Sequence, residues 1–352
     1  MRDPFRPCKL NCQAGVCLTK LEGARIKIAD LHRRKATEMT EPRKIIIDTD
    51  PGQDDAAAIF LAFGSREEID VLGITTVAGN VPLRLTSRNA RIVCELCNRR
   101  DVKVFAGADA PLKRKLVTAE HVHGKTGLDG PDLPEPTMDL QPGHAVDFIV
   151  ETLRNEPEGA VTLCTLGPLT NIALAFQKAP DIVARVRELV MMGGGFFEGG
   201  NITPAAEFNI YVDPEAADIV FRSGVPIVMM PLDVTHQLLT RKDRVARIAA
   251  VGSAPAKAMV EMLEFFERFD IEKYGSDGGP LHDPTVIAYL LKPELFKGRD
   301  CNVEIEVTSE LTVGMTVVDW WHVTDRKHNA KVIRHVDSDG FFALLTERFA
   351  RL

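Results

Sequence analysis

Apolar positions follow a regular alternation along this chain from Lys44 onward. Short runs of apolar and β-branched residues are each bounded by glycine, proline or charged residues. Such runs are typical of buried β-strands. The predicted strands are Lys44–Ile47, Val71–Thr76, Val102–Phe105, Val161–Thr165, Leu189–Met192 and Pro226–Met230.

Longer stretches between these runs place apolar residues every three to four positions, which is the spacing of an amphipathic helix. The predicted helices are Asp54–Phe63, Leu85–Leu96, Gly143–Leu153, Thr170–Phe176, Pro214–Arg222, Ala256–Phe269 and Ser338–Phe349. Strand–helix alternation of this kind indicates βαβ units. We therefore predict an α/β fold with a mainly parallel, doubly wound open sheet of Rossmann-like type, covered by helices on both faces.

The two ends of the chain differ from this pattern. After Lys297 the segments NVEIEV and LTVGMTVVD alternate with a period of two, which predicts a small antiparallel C-terminal appendage. Residues 1–41 are rich in Arg and Lys, show no period and end before Pro42. We interpret them as an N-terminal extension, either disordered or preceding a start at Met39, and residues 42–352 as a single domain.

Composition and charge restrict the classes of partner. With 45% hydrophobic and 26% charged residues, the composition is that of a globular protein. The net charge of −7 provides no general attraction to nucleic acid or to an anionic membrane, so neither is an expected partner. The sequence has no run of 18 apolar residues and no apolar secretory core at its N-terminus, so we expect a cytoplasmic protein.

The seven cysteines predict neither a closed disulfide set nor a metal centre. Seven is an odd number, and the spacing of Cys8, Cys12 and Cys17 matches no metal-ligand pattern. Cys94 and Cys97 fall in a helical stretch, where we expect buried thiols.

Four carboxylates follow the first predicted strand within the segment DTDPGQDD. Like charges this close raise one another's pKa and oppose folding unless a cation or a shared proton lies between them. Oxygen ligands suit Ca²⁺ or Mg²⁺, but Gln53 and Ile59 occupy positions where an EF-hand needs glycine and glutamate. A helix N-cap explains any single aspartate of this segment as well as a metal site does, whereas four aspartates together favour a metal site. The four are Asp48, Asp50, Asp54 and Asp55.

Polar residues also follow the other predicted strands. They lie in the segments VAGN, LGPLTN and GGGFFEGGNITPAAEFN, and Asp233 follows the strand that ends at Met230. The carboxyl ends of parallel strands meet at one edge of a sheet, where ligands of open α/β folds bind. These segments together predict a binding site at that edge.

Phosphate chemistry fits this site less well than sugar chemistry. The segment HGKTG lacks the first glycine of a P-loop, and Pro51 and Gly52 interrupt the pattern of haloacid-dehalogenase phosphatases. Few Lys or Arg residues accompany the strand ends, which disfavours an anionic substrate. A neutral polyol such as a sugar remains as the candidate substrate. The ion would lower the pKa of a bound water, which would then be the nucleophile. The carboxylates would stabilise an oxocarbenium-like transition state.

Five motifs in order, DTDPGQDDAAAI, VAGN, LGPLTNIALA, MMGGG…GN…AEFN and HDP, resemble the nucleoside hydrolases of the inosine–uridine-preferring family. The resemblance extends from about residue 43 to the C-terminus. It implies hydrolysis of the N-glycosidic bond of ribonucleosides to ribose and a free base, with Ca²⁺ in the site. It also implies a homo-oligomer, either a dimer or a tetramer.

The resemblance assigns roles to individual residues. It implies that Asp50, Asp55, Asp283 and the backbone carbonyl of Leu166 hold the ion, and that Asp50 is also the general base. Residues implied to contact the ribose are Asp54, Asn80, Met192, Asn201, Glu207 and Asn209.

Activation of the leaving base has two candidate residues. His282 precedes the ligand Asp283, and His123 lies in the segment HVHGKTG. Four aromatic residues either stack on the base or pack in the core: Phe265, Phe266, Phe269 and Tyr274. Two other functions remain open, a haloacid-dehalogenase-like phosphohydrolase and a non-catalytic, calcium-stabilised nucleoside-binding protein.

Overall fold

Eight strands form one sheet in the order β3-β2-β1-β4-β5-β6-β10-β7 in a computed structural model that describes residues 41–275 and 277–352. All neighbouring strands are parallel except β7, which pairs antiparallel with β10 at the edge. The strands are β1 Arg43–Thr49, β2 Ile69–Thr76, β3 Val104–Ala106, β4 Val161–Thr165, β5 Val186–Met192, β6 Ile227–Met230, β7 Phe296–Cys301 and β10 Ala330–Val336.

Twelve helices connect or flank these strands in the described part of the chain. The first six are α1 Gln53–Phe63, α2 Leu83–Leu96, α3 Glu120–His123, α4 Ala145–Asn155, α5 Thr170–Lys178 and α6 Phe208–Val212. The remaining six are α7 Pro214–Arg222, α8 Leu232–Thr235, α9 Lys242–Ala249, α10 Ala254–Tyr274, α11 Pro284–Leu291 and α12 Ser338–Phe349. Two 3₁₀ turns span Pro180–Arg185 and Pro293–Leu295.

The isoleucines of β1 show how the sheet separates two cores. Successive strand side chains point to opposite faces. Ile45 and Ile47 therefore join the core that contains the buried residues of α1, α11 and α12, while Ile46 joins the core that contains those of α4, α5 and α7. Helices cover both faces, so the predicted α/β architecture is confirmed.

The C-terminal prediction is also confirmed, with one addition. β8, Val303–Ile305, and β9, Thr316–Val318, form a separate antiparallel pair. β7 and β10 were not among the predicted strands. β7 is an edge strand whose four middle residues are exposed, so its sequence lacks the apolar run by which a buried strand is recognised.

The structure tests the predictions for Cys94 and Cys97 but not those for the N-terminal extension. Residues 1–40, with their three cysteines, lie outside the described residues, so the boundary at residue 42 stays a prediction. Cys94 and Cys97 are buried free thiols, as expected. Within the described residues no helix has the length and apolar character required to cross a membrane.

Candidate active site

The candidate site lies where the strand order changes direction. β1 and β4 are neighbours, yet the chain leaves β1 toward β2 and β4 toward β5, which opens a crevice at their carboxyl ends. A cavity lies at this edge. The predicted site residues that line it are Asp54, Asn80, His123, Leu166, Met192, Asn201, Glu207, Asn209, His282 and Asp283.

A group of buried carboxylates forms the floor of the cavity. Asp54 and Asp55 lie in the first turn of α1, and Asp283 precedes Pro284 at the start of α11. Ligand oxygens of these three residues lie within 4.8 Å of one another, although the residues are far apart in sequence. An arrangement of this kind, with oxygen donors only, can hold a hard metal ion.

Asp50 lies beneath this group and does not line the cavity. Its Oδ2 accepts the backbone N–H of Asn80 at 2.7 Å, while Oδ1 is buried without a hydrogen-bond partner among the described residues. Gly79 and Gly167 lie against the carboxylate, and a Cβ added at either position would overlap it. The close approach of these two backbones explains why glycine occupies both positions.

The pKa values show that the group is not compensated by protein cations. Burial, followed by the charge of Asp55, raises the pKa of Asp50 well above its usual range. Burial and the charge of Asp55 raise the pKa of Asp54 to about 8. Burial and the charges of Asp54, Asp55 and Asp50 raise the pKa of Asp283 well above its usual range. The unpartnered Oδ1 atoms of Asp50 and Asp54 add buried acceptors that a cation would satisfy.

Asp55 is the most firmly held member of the group. It accepts a hydrogen bond from Thr49 Oγ1, one from Gly52 N at 2.9 Å and one from Asn80 Nδ2 at 3.1 Å. Asn80 Nδ2 also donates to the backbone oxygen of Asp50 at 3.1 Å. Asn80 therefore connects the turn after β2 to Asp50 and Asp55.

Asp48 does not belong to the carboxylate group, contrary to the sequence analysis. Its Oδ1 accepts hydrogen bonds from Thr75 Oγ1 at 2.6 Å and Asn171 Nδ2 at 2.8 Å. Asp283, which is distant in sequence, completes the group instead. Asp48 lies within β1, whereas Asp50 follows the last residue of the strand, where the crevice opens.

Glu207 and Asn209 form the opposite wall around the start of α6. Glu207 caps this helix, accepting from the backbone N–H groups of Asn209 at 3.0 Å and Gly194 at 2.8 Å. Burial nevertheless raises the pKa of Glu207 to about 7. Asn209 Nδ2 donates to the backbone oxygens of Leu166 at 2.7 Å and Met192 at 3.2 Å, which joins the ends of β4 and β5.

Asn201 and Asp233 organise the glycine-rich loop after β5. Asn201 lines the cavity, and its Oδ1 accepts the backbone N–H of Phe208 at 2.9 Å. Asp233 does not line it. It accepts backbone N–H groups of Phe196 and Phe197, both at 2.9 Å, so its role is to hold the loop.

Both candidate histidines line the cavity and are neutral at pH 7 in the ligand-free protein. Burial lowers the pKa of His123 and of His282 to about 3 in each case. His123 Nδ1 lies 2.7 Å from Gln53 Oε1, and His282 Nδ1 lies 2.8 Å from Thr235 Oγ1. The two rings therefore have different partners at the same nitrogen.

The aromatic residues of α10 divide between the cavity and the surface. Phe266 and Phe269 line the cavity, and Phe266 stacks on His123 with ring centroids 5.5 Å apart. Phe265 lies outside it, under the guanidinium of Arg268 at 4.0 Å. The side chain of Tyr274 lies outside the described part of the structure.

Several cavity residues were missed by the sequence analysis. His236 stands three residues after Asp233 on the same strand-end turn, and its ring centroid lies 6.0 Å from that of His282. The motif DVTH could have indicated it, since Asp233 was already noted. His121 begins the segment HVHGKTG, in which only His123 was considered. The other missed residues are apolar: Ala119, Val122, Ile202, Phe208 and Pro280.

Comparison with known proteins identifies the family to which this chain belongs. The family profile described as inosine-uridine preferring nucleoside hydrolase matches residues 45–343. An uncharacterized protein of Schizosaccharomyces pombe is 54% identical over 88% of this chain and 99% of its own length. The pyrimidine-specific ribonucleoside hydrolase RihA of Photobacterium profundum is 48% identical, with the same coverage of both chains.

Solved structures give the same result. A purine-preferring ribonucleoside hydrolase from Gardnerella vaginalis superposes with a TM-score of 0.81 at 31% identity, covering 87% of this chain and 98% of the other. The names of these two hydrolases state opposite base preferences, so similarity alone does not assign a preference here.

Proposed function

Because the chain belongs to the inosine–uridine preferring nucleoside hydrolase family, whose members cleave the N-glycosidic bond of ribonucleosides, we propose a calcium-dependent form of this hydrolysis. One observation carries the proposal. Buried, mutually repelling carboxylates, two with an unpartnered oxygen, form the floor of a cavity whose walls carry Glu207 and Asn209.

Asp50, Asp55, Asp283 and the carbonyl oxygen of Leu166 are the ligands we propose for Ca²⁺. All four supply oxygen, and Ca²⁺ accepts six to eight oxygen ligands, so substrate hydroxyls and water have room to complete the set. The three carboxylates that lie closest together include Asp54 in place of Asp50. We assign Asp50 to the ion and Asp54 to the ribose, as the family resemblance implies; Asp54 lines the cavity and can contact a substrate there, whereas Asp50 does not line it.

The chain's own residues then account for substrate binding. Asp54, Asn80 and Asn201 line the cavity with polar atoms that suit ribose hydroxyl groups, and Met192 lines it with an apolar surface. Glu207 accepts hydrogen bonds from the backbone N–H groups of Gly194, Asn209 and Ile210. Because an ionised carboxylate accepts about four hydrogen bonds, about one acceptor position remains for a ribose hydroxyl. Asn209 holds Leu166 and Met192 in place.

Catalysis requires a base for the attacking water and help for the departing nucleobase. When bound, Ca²⁺ supplies positive charge that lowers the pKa of a water molecule. Asp50 takes the proton of the attacking water, and the neighbouring carboxylates stabilise the positive charge that develops on the ribose.

His282 assists the departing base. Its Nδ1 faces Thr235 Oγ1, which has no other side-chain partner among the described residues. A hydrogen bond donated by Thr235 to Nδ1 places the hydrogen of the neutral ring on Nε2, where it is directed to the ligand. Negative charge that develops on the departing base raises the pKa of His282, so that the ring takes up a second proton from solvent, gives its Nε2 proton to the base and returns to the neutral form.

An assay of ribose release tests the proposal. Purified protein with Ca²⁺ should release reducing sugar from at least one of uridine, cytidine, inosine and adenosine. Because the chain belongs to the nucleoside hydrolase family, the haloacid-dehalogenase-like phosphohydrolase is excluded as an alternative. Binding of these nucleosides without release of ribose would instead support the non-catalytic binding protein. The homo-oligomer that the resemblance implies is part of the proposal and is tested by light scattering on the same sample.

A further inference from the structure

Gln53 is a completely buried amide in the first turn of α1, and it contacts His123 at two points. Its Nε2 lies 3.0 Å from the backbone oxygen of His123 and 3.2 Å from that of Asp129. Its Oε1 lies 2.7 Å from Nδ1 of His123. The three contacts satisfy both ends of the amide.

These contacts determine which nitrogen of His123 carries the hydrogen. Two backbone carbonyl oxygens can only accept, so the group that faces them must be the NH₂ of Gln53. The opposite end of the amide is then the oxygen, which also can only accept. The hydrogen between Oε1 and Nδ1 must therefore come from His123, and a neutral ring with N–H at Nδ1 has a bare lone pair at Nε2.

The ring of His123 is held in this orientation from two sides. Gly52 lies beneath it, and a Cβ at that position would overlap Nδ1. Phe266 stacks on it at 5.5 Å with an angle of 29° between the rings. No hydrogen-bond partner within the described residues faces Nε2, and His123 lines the cavity, so Nε2 is the nitrogen available to a ligand.

We propose that Gln53 is a positioning residue that fixes His123 as a hydrogen-bond acceptor for a hydroxyl or N–H group of the bound nucleoside. This inference rests on the proposed function of the cavity. It removes His123 from the candidates for protonating the base, because the nitrogen that faces the ligand has no hydrogen to give. The donor belongs either to the ribose, as its 5′-hydroxyl, or to the base, as an N–H.

The tautomer can be measured without any turnover. Ring ¹⁵N shifts of the full-length protein, with His123 assigned by difference from the His123→Phe variant, should show a protonated Nδ1 and a bare Nε2. Gln53→Met has a similar volume and no hydrogen bonds, so its His123 should show mixed tautomers. A protonated Nε2 in the wild type would overturn the proposal whatever the protein hydrolyses.

Three substrates test whether the nucleoside donates a hydrogen bond to His123: uridine, 5′-deoxyuridine and 3-methyluridine. In Gln53→Met, kcat/KM for uridine should fall about 10-fold or more, the size of one lost buried hydrogen bond. The analogue that lacks the donor should be nearly unaffected by the substitution, because it never made that bond. An unaffected 5′-deoxyuridine identifies the ribose hydroxyl as the donor, and an unaffected 3-methyluridine identifies the base.

Asn89 provides the matched control. It is also a buried amide that ties the same loop, donating to the backbone oxygens of Thr126 at 2.7 Å and Pro51 at 3.0 Å, but it does not contact His123. Asn89→Leu should change kcat/KM by the same factor for all three substrates. An equal loss on all three in Gln53→Met as well would contradict the proposal, because loosening of the loop would then explain both variants. Failure of the wild type to release ribose from uridine, cytidine, inosine and adenosine alike would contradict the proposed function, while the ¹⁵N spectrum still decides the tautomer.

Discussion

The carboxylates of Asp55 and Asp283 place ligand oxygens within 4.8 Å of each other, although α1 carries the first and the turn before α11 carries the second. Burial raises the pKa of both groups. Folding therefore brings together charges that repel each other, and the repulsion is relieved only by protons or by a cation.

Calcium should stabilise the fold as well as support turnover. Elemental analysis of protein purified without added metal should find Ca²⁺, and a chelator should lower both Tm and activity. Restoring Ca²⁺ to 100 times its Kd should return about 2.7 kcal/mol of stability, because the ion binds only the folded state. Asp283→Asn should lose the Tm response to Ca²⁺, while Asp218→Asn, on α7 and outside the cavity, should keep it. Stoichiometric zinc, or full turnover without metal, would rule out this assignment.

The rate should depend on the ionisation of Glu207. Burial raises the pKa of this carboxyl to about 7, so it is protonated below that pH and accepts fewer hydrogen bonds from the ribose. With saturating Ca²⁺, kcat/KM should fall as pH decreases through about 7. Glu207→Gln should be slower and should lack this limb of the pH profile. An identical limb in the variant would show that another group titrates.

The same pKa makes a prediction about stability. A folded-state pKa above the unfolded value of 4.5 means that the folded protein keeps a proton that the unfolded chain loses. The stabilising contribution is therefore complete below pH 4.5 and disappears as pH rises through about 7. Glu207→Gln should flatten this part of the stability curve in urea titrations at a series of pH values.

Removal of His282 should affect substrates according to their leaving groups. His282→Ala should lower kcat strongly for nucleosides and weakly for p-nitrophenyl riboside, because nitrophenolate departs without a proton. Steady-state kinetics on both substrates measures the difference. Equal losses would indicate that His282 positions Asp283 instead. A selective loss in His123→Ala would reverse the roles given to the two histidines.

Asp233 should stabilise the loop after β5 without taking part in chemistry. Asp233→Ala leaves the N–H groups of Phe196 and Phe197 without their acceptor, which should lower the free energy of unfolding by about 1–3 kcal/mol. Asp218→Ala breaks an exposed pair with Arg222 on α7 and should cost about 0.5 kcal/mol or less. Urea denaturation of the two variants tests the contrast.

Local sequence patterns predicted most of the buried strands and the helices that follow them. The run from Lys44 to Ile47 is apolar because β1 is buried on both faces, and Pro51 and Gly52 mark the turn into α1. The edge strand β7 was not predicted because four of its residues face solvent and need no apolar pattern.

The site was predictable where motifs were local and unpredictable where folding joined distant segments. The motif DTDPGQDD indicated a cation, yet it could not show that Asp48 binds Thr75 and Asn171. Likewise, the contact between Gln53 and His123 links α1 to α3, and no spacing rule relates those two positions. Contacts of this kind depend on tertiary packing.

Asp50 has two proposed roles, to hold the ion and to accept the proton of the attacking water. Asp50→Asn keeps the shape and an acceptor for the N–H of Asn80, whose bond to Asp50 is 2.7 Å, but removes the base. General base catalysis contributes about 10²–10⁴-fold.

The direct measurement is kcat of Asp50→Asn at saturating Ca²⁺, with circular dichroism to show that the variant is folded. If Asp50 is the general base, kcat should decrease by at least about 10²-fold, and added Ca²⁺ should not restore it. Recovery of near-normal kcat by Ca²⁺ would contradict this prediction, because Asp50 would then be only a ligand and another group would activate the water.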